Sequence, residues 1–211
     1  MLRTCEVFKS IQGESSRAGT VCSFVRLAGC NLRCRYCDTS YAWDGGTDLS
    51  VGSLLSEVQT HATTLVEITG GEPLLQPETP LLCRRFIDAG YTVLVETNGT
   101  VDIRTVPPPA IRIVDIKGPS SGHAGSFLEN NYGLLQPADE CKFVISDRID
   151  FEWSLDIVRK KELGKITAAI FSPNMNALAP HLLAAWLLEA DEPIRLGIQL
   201  HKVIWGDKRS V

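Results

Sequence analysis

The feature that most constrains the fold is a repeated alternation of short apolar runs with longer stretches of helical spacing. Seven runs have the apolar or β-branched character of buried strands, at residues 21–27, 65–69, 92–96, 112–116, 140–145, 168–171 and 195–200. Four stretches repeat apolar residues with a helical period, at residues 51–58, 80–90, 149–163 and 177–190. Strands that alternate with helices through short links form a mostly parallel sheet. Because seven strands and four helices fall short of a complete eightfold barrel, we expect a single α/β domain over residues 1–211, built as a partial TIM-like β/α barrel.

The composition is that of a globular chain without a general affinity for polyanions. The 211 residues are 44% hydrophobic, and 21 Lys and Arg stand against 25 Asp and Glu, for a net charge of −4. We therefore expect a small-molecule substrate and no direct binding of nucleic acid. A membrane span needs about 18 or more apolar residues in a row, and the sequence has no such run. We expect a cytoplasmic enzyme that makes no contact with a membrane.

Unusual motifs follow four of the predicted strands. The carboxyl ends of parallel strands meet at one rim of the sheet, where α/β proteins place their chemistry. We therefore expect these motifs to lie together; they are Cys30, Cys34 and Cys37, then Gly70-Gly71-Glu72-Pro73, then Glu96-Thr97-Asn98-Gly99, and then Lys117-Gly118-Pro119-Ser120-Ser121-Gly122.

The cysteine triplet has the spacing C-x3-C-x2-C over Cys30, Cys34 and Cys37. A structural zinc site normally has four ligands, so zinc would need a distant fourth donor, and free structural thiols are the other alternative. An iron–sulfur cubane usually takes one cysteine for each of its four irons. Three cysteines would leave one iron open to a small molecule, which is a catalytic feature.

The cysteine spacing, together with the turn Gly70-Gly71-Glu72-Pro73, resembles the radical S-adenosylmethionine (SAM) superfamily. The resemblance implies a 4Fe–4S cluster whose open iron binds SAM and whose electron cleaves it to a 5′-deoxyadenosyl radical. It also implies contacts to SAM from the cysteine loop, the glycine turn and a later strand end. Those residues are Tyr36, Cys37, Asp38, Gly71, Asp115, Ile116 and Lys117, with Glu72, Asn98 and Ser172 as further contacts.

Further segments narrow the resemblance to one family within that superfamily. Residues 6–15, 24–30, 96–100, 117–122 and 199–202 are similar to the 7-carboxy-7-deazaguanine synthase family, so the likeness spans nearly the whole chain. It implies conversion of 6-carboxy-5,6,7,8-tetrahydropterin to 7-carboxy-7-deazaguanine with loss of ammonia, a step toward queuosine and related 7-deazapurines. It also implies an electron donor such as flavodoxin or ferredoxin, and a homodimer.

The same resemblance assigns the substrate and magnesium sites. The substrate contacts are Ile11, Gln12, Gly13, Glu14, Arg26 and Thr69, and Thr39 is the Mg²⁺ ligand. A guanidinium suits the carboxylate of a pterin, and an amide with nearby backbone groups suits its aminopyrimidinone edge. We expect an N-terminal substrate-binding segment at about residues 1–20 and a C-terminal tail at about 203–211. No catalytic side chain is expected beyond the cluster ligands.

Two other functions fit parts of the sequence. A glycyl-radical-enzyme activase shares the cysteine motif but needs a groove for a partner's backbone. A non-enzymatic iron–sulfur or zinc module would need a fourth protein ligand and leaves the Gly-Gly-Glu-Pro turn unexplained. One departure concerns the SAM site, because some relatives have Ser-Pro where this chain has Asp115 and Ile116. Any contact from that serine hydroxyl is therefore in question.

Overall fold

The chain forms one nine-stranded sheet with helices on its outer face, in a computed structural model that describes residues 1–206 and 208–211. The strands are β1 (Leu2–Ile11), β2 (Val21–Leu27), β3 (Thr47–Leu49), β4 (Leu65–Gly70), β5 (Thr92–Thr97), β6 (Ile111–Asp115), β7 (Glu140–Ile145), β8 (Ala168–Pro173) and β9 (Ile194–Leu196). Their order across the sheet is β3-β1-β2-β4-β5-β6-β7-β8-β9. β3 and β9 are the two edges, so the sheet curves without closing, and the predicted partial barrel is confirmed.

The seven predicted strands form the parallel part of this sheet, which consists of β2 and of β4 through β9. Their ends differ from the prediction by one or two residues, except for the last strand. β1 and β3 were not predicted; both are antiparallel, β1 pairing with β2 and with β3. β1 lacks the sequence pattern of a buried strand, because Glu6 faces a polar site and apolar and polar residues do not alternate cleanly.

The described residues form six α-helices, of which the first five lie between strands and the last follows β9: α1 (Val51–Thr60), α2 (Thr79–Asp88), α3 (Arg148–Lys160), α4 (Leu163–Ile166), α5 (Pro180–Ala190) and α6 (Leu200–Trp205). The Ser50 hydroxyl caps α1 by accepting a hydrogen bond from the Ser53 N–H at 3.0 Å. The predicted helix at 149–163 is two helices, because Glu162 adopts φ 51° and interrupts it. No helix among the described residues is long and apolar enough to cross a membrane.

The two faces of the sheet differ in what they bury. The outer face packs against the helices in the main core, which includes Val25, Ile68, Val95, Phe143 and Phe171. The inner face carries a smaller apolar cluster of Phe8, Cys22, Phe24, Leu65, Leu94, Ile111 and Ile113. Toward the carboxyl ends of the strands the inner face becomes polar. The apolar cluster therefore forms a floor below a polar cavity.

The strand predicted at residues 195–200 is wrong beyond Leu196. β9 ends there, and residues 200–205 are helical as α6. Gly197, directly after β9, lies close against β8, where a Cβ at this position would be 2.3 Å from the Ser172 Oγ. α6 then packs on the loop after β1, where the Leu200 N–H donates to the Gly13 carbonyl at 2.8 Å. Of the predicted tail at 203–211, Asp207 lies outside the described residues.

Candidate functional site

A cavity of about 570 Å³ opens at the carboxyl ends of the parallel strands. It brings together most of the residues predicted for the site. Those that line it are Ile11, Gln12, Gly13, Glu14, Arg26, Cys30, Cys34, Tyr36, Cys37, Asp38, Thr39, Thr69, Gly71, Asn98, Asp115 and Lys117. Glu72, Ile116 and Ser172 lie behind this lining and are buried. The predicted convergence of the four motifs on one rim is therefore observed.

The cysteine loop forms one wall of the cavity, and all three thiols are free. The loop is held locally, since the Leu32 N–H donates to Cys30 Sγ at 3.4 Å and the Cys37 N–H donates to the Cys34 carbonyl at 3.1 Å. Burial raises the pKa of Cys34 to about 11, against the opposing effect of the Lys117 ammonium. The Arg33 guanidinium donates a hydrogen bond to the Cys30 carbonyl at 2.7 Å.

The thiols suit a cluster better than a single ion. Among residues 1–206 and 208–211, no three His, Cys, Asp or Glu side chains converge as the ligands of one metal ion would. A cubane does not require such convergence, because each cysteine binds a different iron atom. Three thiols on one loop, facing an open cavity, therefore fit a cluster with one iron free of protein ligands.

The turn after β4 allows two chain segments to approach closely. Gly70 has φ 143°, and a Cβ there would lie 2.0 Å from the Leu27 carbonyl oxygen. A Cβ on Gly71 would lie 2.2 Å from the Gly29 carbonyl oxygen and 2.8 Å from Cys30 Cβ. Only glycines leave room for the turn to lie against the cysteine loop. The turn therefore positions the loop as well as lining the cavity.

Glu72 anchors this turn to the end of β5. Its carboxylate accepts hydrogen bonds from the Leu74 N–H at 3.0 Å, the Thr97 hydroxyl at 2.8 Å and the Asn98 N–H at 2.7 Å. The side chain is fully buried, and burial raises its pKa despite these bonds. Glu72 thus has a clear structural role, which we did not expect from the sequence.

The Lys142 ammonium lies at the centre of the polar inner face. It contacts the carboxylates of Glu14, Glu96 and Asp115, the last at 3.2 Å. Asp115 also pairs with Lys117 at 2.8 Å. A continuous set of ion pairs therefore runs from Lys117, beside the cysteine loop, to Glu14 in the predicted substrate segment.

These ion pairs determine the charge states of the buried groups that form them. Burial disfavours the Lys142 ammonium, but the carboxylates of Asp115, Glu14 and Glu96 outweigh it and raise the pKa of Lys142 well above its ordinary value. Burial also disfavours the charged carboxylates, yet Lys142 lowers the pKa of Glu14, and Lys117 with Lys142 lowers that of Asp115. Glu14, Asp115 and Lys142 are therefore charged at neutral pH.

Arg26 is held on the cavity wall by residues of neighbouring segments. Its Nε donates to Glu6 Oε1 at 2.6 Å, and the Tyr41 hydroxyl donates to the same oxygen at 2.8 Å. The guanidinium also lies 5.8 Å from the centroid of the Phe8 ring. A guanidinium fixed in this way keeps other N–H groups for a ligand. The site thus offers the cation that a substrate carboxylate requires.

Asp38 and Thr39 lie beside the last cysteine of the loop. The Thr39 hydroxyl donates to Asp38 Oδ1 at 2.9 Å, and Lys202 Nζ lies 3.2 Å from Asp38 Oδ2. Burial acts against the charged form, but Lys202 and the Thr39 hydroxyl lower the pKa of Asp38 to about 2. This corner of the cavity therefore holds a carboxylate and a hydroxyl oxygen side by side.

Several residues of the site were not among the predicted contacts: the lining residues Tyr41, Glu67, Glu96, Lys142 and Gln199, and Glu6, which holds Arg26. A signal was available for three of them. Glu67, Glu96 and Lys142 are charged residues within otherwise apolar or β-branched strands, and a buried charge is normally paired or functional. Gln199 Nε2 donates to Glu14 Oε1 at 2.8 Å, a contact that depends on the unpredicted start of α6.

Comparisons with known proteins identify the family of the chain. The Radical SAM superfamily model matches residues 25–111. A 7-carboxy-7-deazaguanine synthase of Koribacter versatilis is 44% identical, with 97% of each chain covered, and that of Chlorobaculum tepidum is 41% identical, with 100% of this chain and 97% of its own covered. QueE from Escherichia coli has a similar fold, with a TM-score of 0.79 at 23% identity over 95% of this chain and 94% of that one. The chain belongs to the 7-carboxy-7-deazaguanine synthase family of the radical SAM superfamily.

Proposed function

We propose that this chain converts 6-carboxy-5,6,7,8-tetrahydropterin to 7-carboxy-7-deazaguanine and ammonia, as a carbon–nitrogen lyase in the pathway to queuosine and related 7-deazapurines. The observation that supports this best is one cavity with the cysteine loop on one wall and a fixed guanidinium, Arg26, on another. The reaction removes one NH₃ from the substrate and leaves the product, so it needs no net oxidant. The relatives are named 7-carboxy-7-deazaguanine synthase, and this name supports the proposed product.

The three cysteines would hold a 4Fe–4S cluster, and SAM would bind beside it. The residues proposed for SAM are Tyr36, Cys37, Asp38, Gly71, Asn98 and the segment Asp115, Ile116 and Lys117, with Glu72 and Ser172 acting from behind the lining. When bound together, the cluster and SAM supply abstraction of a hydrogen atom from C6 of the substrate. The residues themselves bind and orient the cofactor in this proposal, and none transfers a proton to the reacting atoms.

The substrate would lie over the apolar floor, between β1 and β7. Arg26 would bind its carboxylate, and the aminopyrimidinone edge would face Gln12, Glu14 and Thr69. Gln12 and Glu14 are already fixed, since the Glu14 N–H donates to Gln12 Oε1 at 2.9 Å and Gln199 holds the Glu14 carboxylate. Ile11 and Gly13 would contribute backbone groups. Fixed donors and acceptors reduce the entropy lost on binding.

Several further properties are carried over from the family. We propose a homodimer, reduced by a donor such as flavodoxin or ferredoxin and located in the cytoplasm, with no direct nucleic-acid contact. The predicted single-domain organisation also stays a prediction, with a substrate-binding segment at about 1–20 and a tail at about 203–211. The activase and the metal-module alternatives are disfavoured by the family assignment and by the polar cavity.

The test of the proposed function is an anaerobic reaction. Protein reconstituted with iron and sulfide is mixed with dithionite, SAM, Mg²⁺ and 6-carboxytetrahydropterin, and the products are followed by mass spectrometry. We expect a product lighter than the substrate by one ammonia, with no formation when SAM is omitted. Cleavage of SAM with the pterin left intact would contradict the substrate assignment. No reaction of either compound, with a filled cluster, would favour a binding module.

We propose that Thr39 is a ligand of Mg²⁺, whose octahedron water and substrate oxygens would complete. The observation in favour is its hydroxyl beside the Asp38 carboxylate at the cavity wall. Thr39→Val is expected to weaken the apparent affinity for Mg²⁺ by at least about 10-fold, measured by titrating Mg²⁺ into the product-forming reaction. Thr39→Ser keeps the hydroxyl and is the matched control. An unchanged Mg²⁺ requirement in Thr39→Val would rule out this role.

A further inference from the structure

Glu67 is a buried carboxyl group at the base of the cavity, and no described cation forms an ion pair with it. It lies on β4 between Leu65, which belongs to the apolar floor, and Thr69, which lines the cavity above. The residue is 3% exposed. In the described part of the chain, Lys142 pairs with Glu14, Glu96 and Asp115 instead of with Glu67. A carboxyl that is buried in this way favours its neutral form.

The hydrogen bonds around Gln12 fix which Glu67 oxygen is an acceptor. The Glu14 N–H donates to Gln12 Oε1 at 2.9 Å, so the other end of the amide is Nε2, a donor. That Nε2 donates to Glu67 Oε2. Oε2 of Glu67 is therefore an acceptor. No described residue forms a hydrogen bond with the second oxygen, Oε1, and Glu67 contributes to the cavity lining.

The charged groups that face Glu67 come from every neighbouring element. Burial raises its pKa well above the ordinary value, the carboxylates of Glu96 on β5 and Glu14 after β1 add to this, and Lys142 on β7 and Arg26 on β2 oppose it. The Cys22 thiol on β2 also lies close by and is itself kept neutral by burial. The acidic neighbours and the burial outweigh the two cations, which already have carboxylate partners of their own.

We infer that Glu67 is a specificity-determining residue that binds the substrate as a neutral carboxylic acid. Its Oε1–H donates a hydrogen bond to an acceptor atom of the substrate's pyrimidinone ring, while its Oε2 accepts from Gln12. Glu67 and Gln12 together then present hydrogen-bonding groups that match the order of donors and acceptors on the ring. This inference rests on the proposed function and adds to it a residue that the sequence did not single out.

Glu67→Gln and Glu67→Met separate a neutral donor from a charged carboxylate. The probe is 7-carboxy-7-deazaguanine, which has the aminopyrimidinone ring of the substrate, and its Kd is measured anaerobically with the reconstituted, SAM-loaded enzyme. Glu67→Gln keeps a donor and an acceptor and should bind within about threefold of the unsubstituted enzyme. Glu67→Met leaves the ligand's acceptor unsatisfied, so its Kd should rise about 10- to 100-fold. Leu65→Met, on the same strand but in the apolar floor, is the packing control.

A pH titration of the same Kd gives a second readout. Burial raises the pKa of Glu67 well above its ordinary value, so in the unsubstituted enzyme the donor is lost, and binding weakens, only as the pH rises above the ordinary range of a carboxyl group. Glu67→Gln cannot lose a proton and should show no such rise. This comparison remains decisive if Glu67→Met does not fold, as judged by circular dichroism.

The contrary outcomes are distinct. Loss of binding in Glu67→Gln equal to that in Glu67→Met would show that a charged carboxylate is required, and would overturn the inference. Unchanged binding in both variants would show that Glu67 makes no contact with the ring. If the unsubstituted enzyme neither binds the probe nor forms it from the pterin, the proposed function itself fails.

Discussion

Replacing Cys34 with alanine is expected to abolish both the iron–sulfur cluster and product formation. Cys34 is the most buried of the three loop cysteines, and its thiol lines the cavity beside Lys117. A cubane with one iron already open cannot lose a second ligand without a change in its structure or stability. Iron and sulfide contents after anaerobic reconstitution, the electron paramagnetic resonance signal after reduction, and product formation should all fall together.

Cys83→Ala is the matched control for this experiment. Cys83 is a fully buried free thiol in α2, within the main core and away from the cavity. Its removal should cost about 1 kcal/mol of stability through a small cavity and leave iron content and activity unchanged. Full iron content with normal turnover in Cys34→Ala would show that another residue supplies the ligand.

The parallel part of the fold could be predicted because its strands are buried on both faces. β7 and its neighbours appear as short apolar runs, which are recognisable without knowledge of their partners. β1 is different, since its inner face passes from Phe8 in the floor to Glu6 at the polar site. Its burial depends on the cavity that it lines. The period of the sequence alone therefore does not reveal it.

The pairing of the buried charges also required the fold. Lys142 stands out in the sequence as a charge within an apolar strand, but its partners depend on strand register. The parallel pairing of β6 and β7 places Asp115 directly beside Lys142. Glu14 reaches the same ammonium from a loop more than a hundred residues earlier. The sequence thus predicts unusual residues, whereas their chemistry follows from tertiary contacts.

The structure of the C-terminal segment also could not be predicted from local sequence patterns. We expected a strand over residues 195–200, but the chain leaves the sheet after β9. The consequence is functional, because the ring of His201 packs against Gly13, where an added Cβ would lie 2.2 Å from Nδ1. The predicted substrate segment is therefore covered by a helix that local sequence patterns did not indicate.

Replacing Lys142 with methionine is expected to lower both stability and turnover strongly. The change leaves the carboxylates of Glu14, Glu96 and Asp115 without their shared cation. Removing one partner of a buried ion pair costs about 3–5 kcal/mol, and each kcal/mol lowers the Tm of a chain of this size by about 2–4 °C. Because Glu14 lines the cavity, displacement of its carboxylate should reduce product formation at least about 100-fold.

Arg112→Met is the matched control for Lys142→Met. Arg112 also belongs to a buried ion pair, with Nε 3.0 Å from Asp139 Oδ1, but it lies outside the cavity lining. It should therefore lose comparable stability while retaining turnover at a temperature well below its Tm. Equal losses of turnover in the two variants would show that Lys142 acts only through stability.

The pH dependence of stability tests the electrostatic origin of the Lys142 effect. In the unsubstituted chain Lys142 holds the pKa of Glu14 below its ordinary value, and Lys117 with Lys142 does the same for Asp115, so the stability from these groups is present above pH about 4 and is lost on further acidification. In Lys142→Met burial acts on Glu14 without this cation and raises its pKa, while Asp115 keeps Lys117, so the folded state takes up a proton at Glu14 first and gains stability as the pH falls. The Tm difference between the two proteins should therefore be largest near pH 7 and shrink toward pH about 5, as followed by thermal denaturation. A difference that does not change with pH would show that lost packing, and not unpaired charge, accounts for the effect.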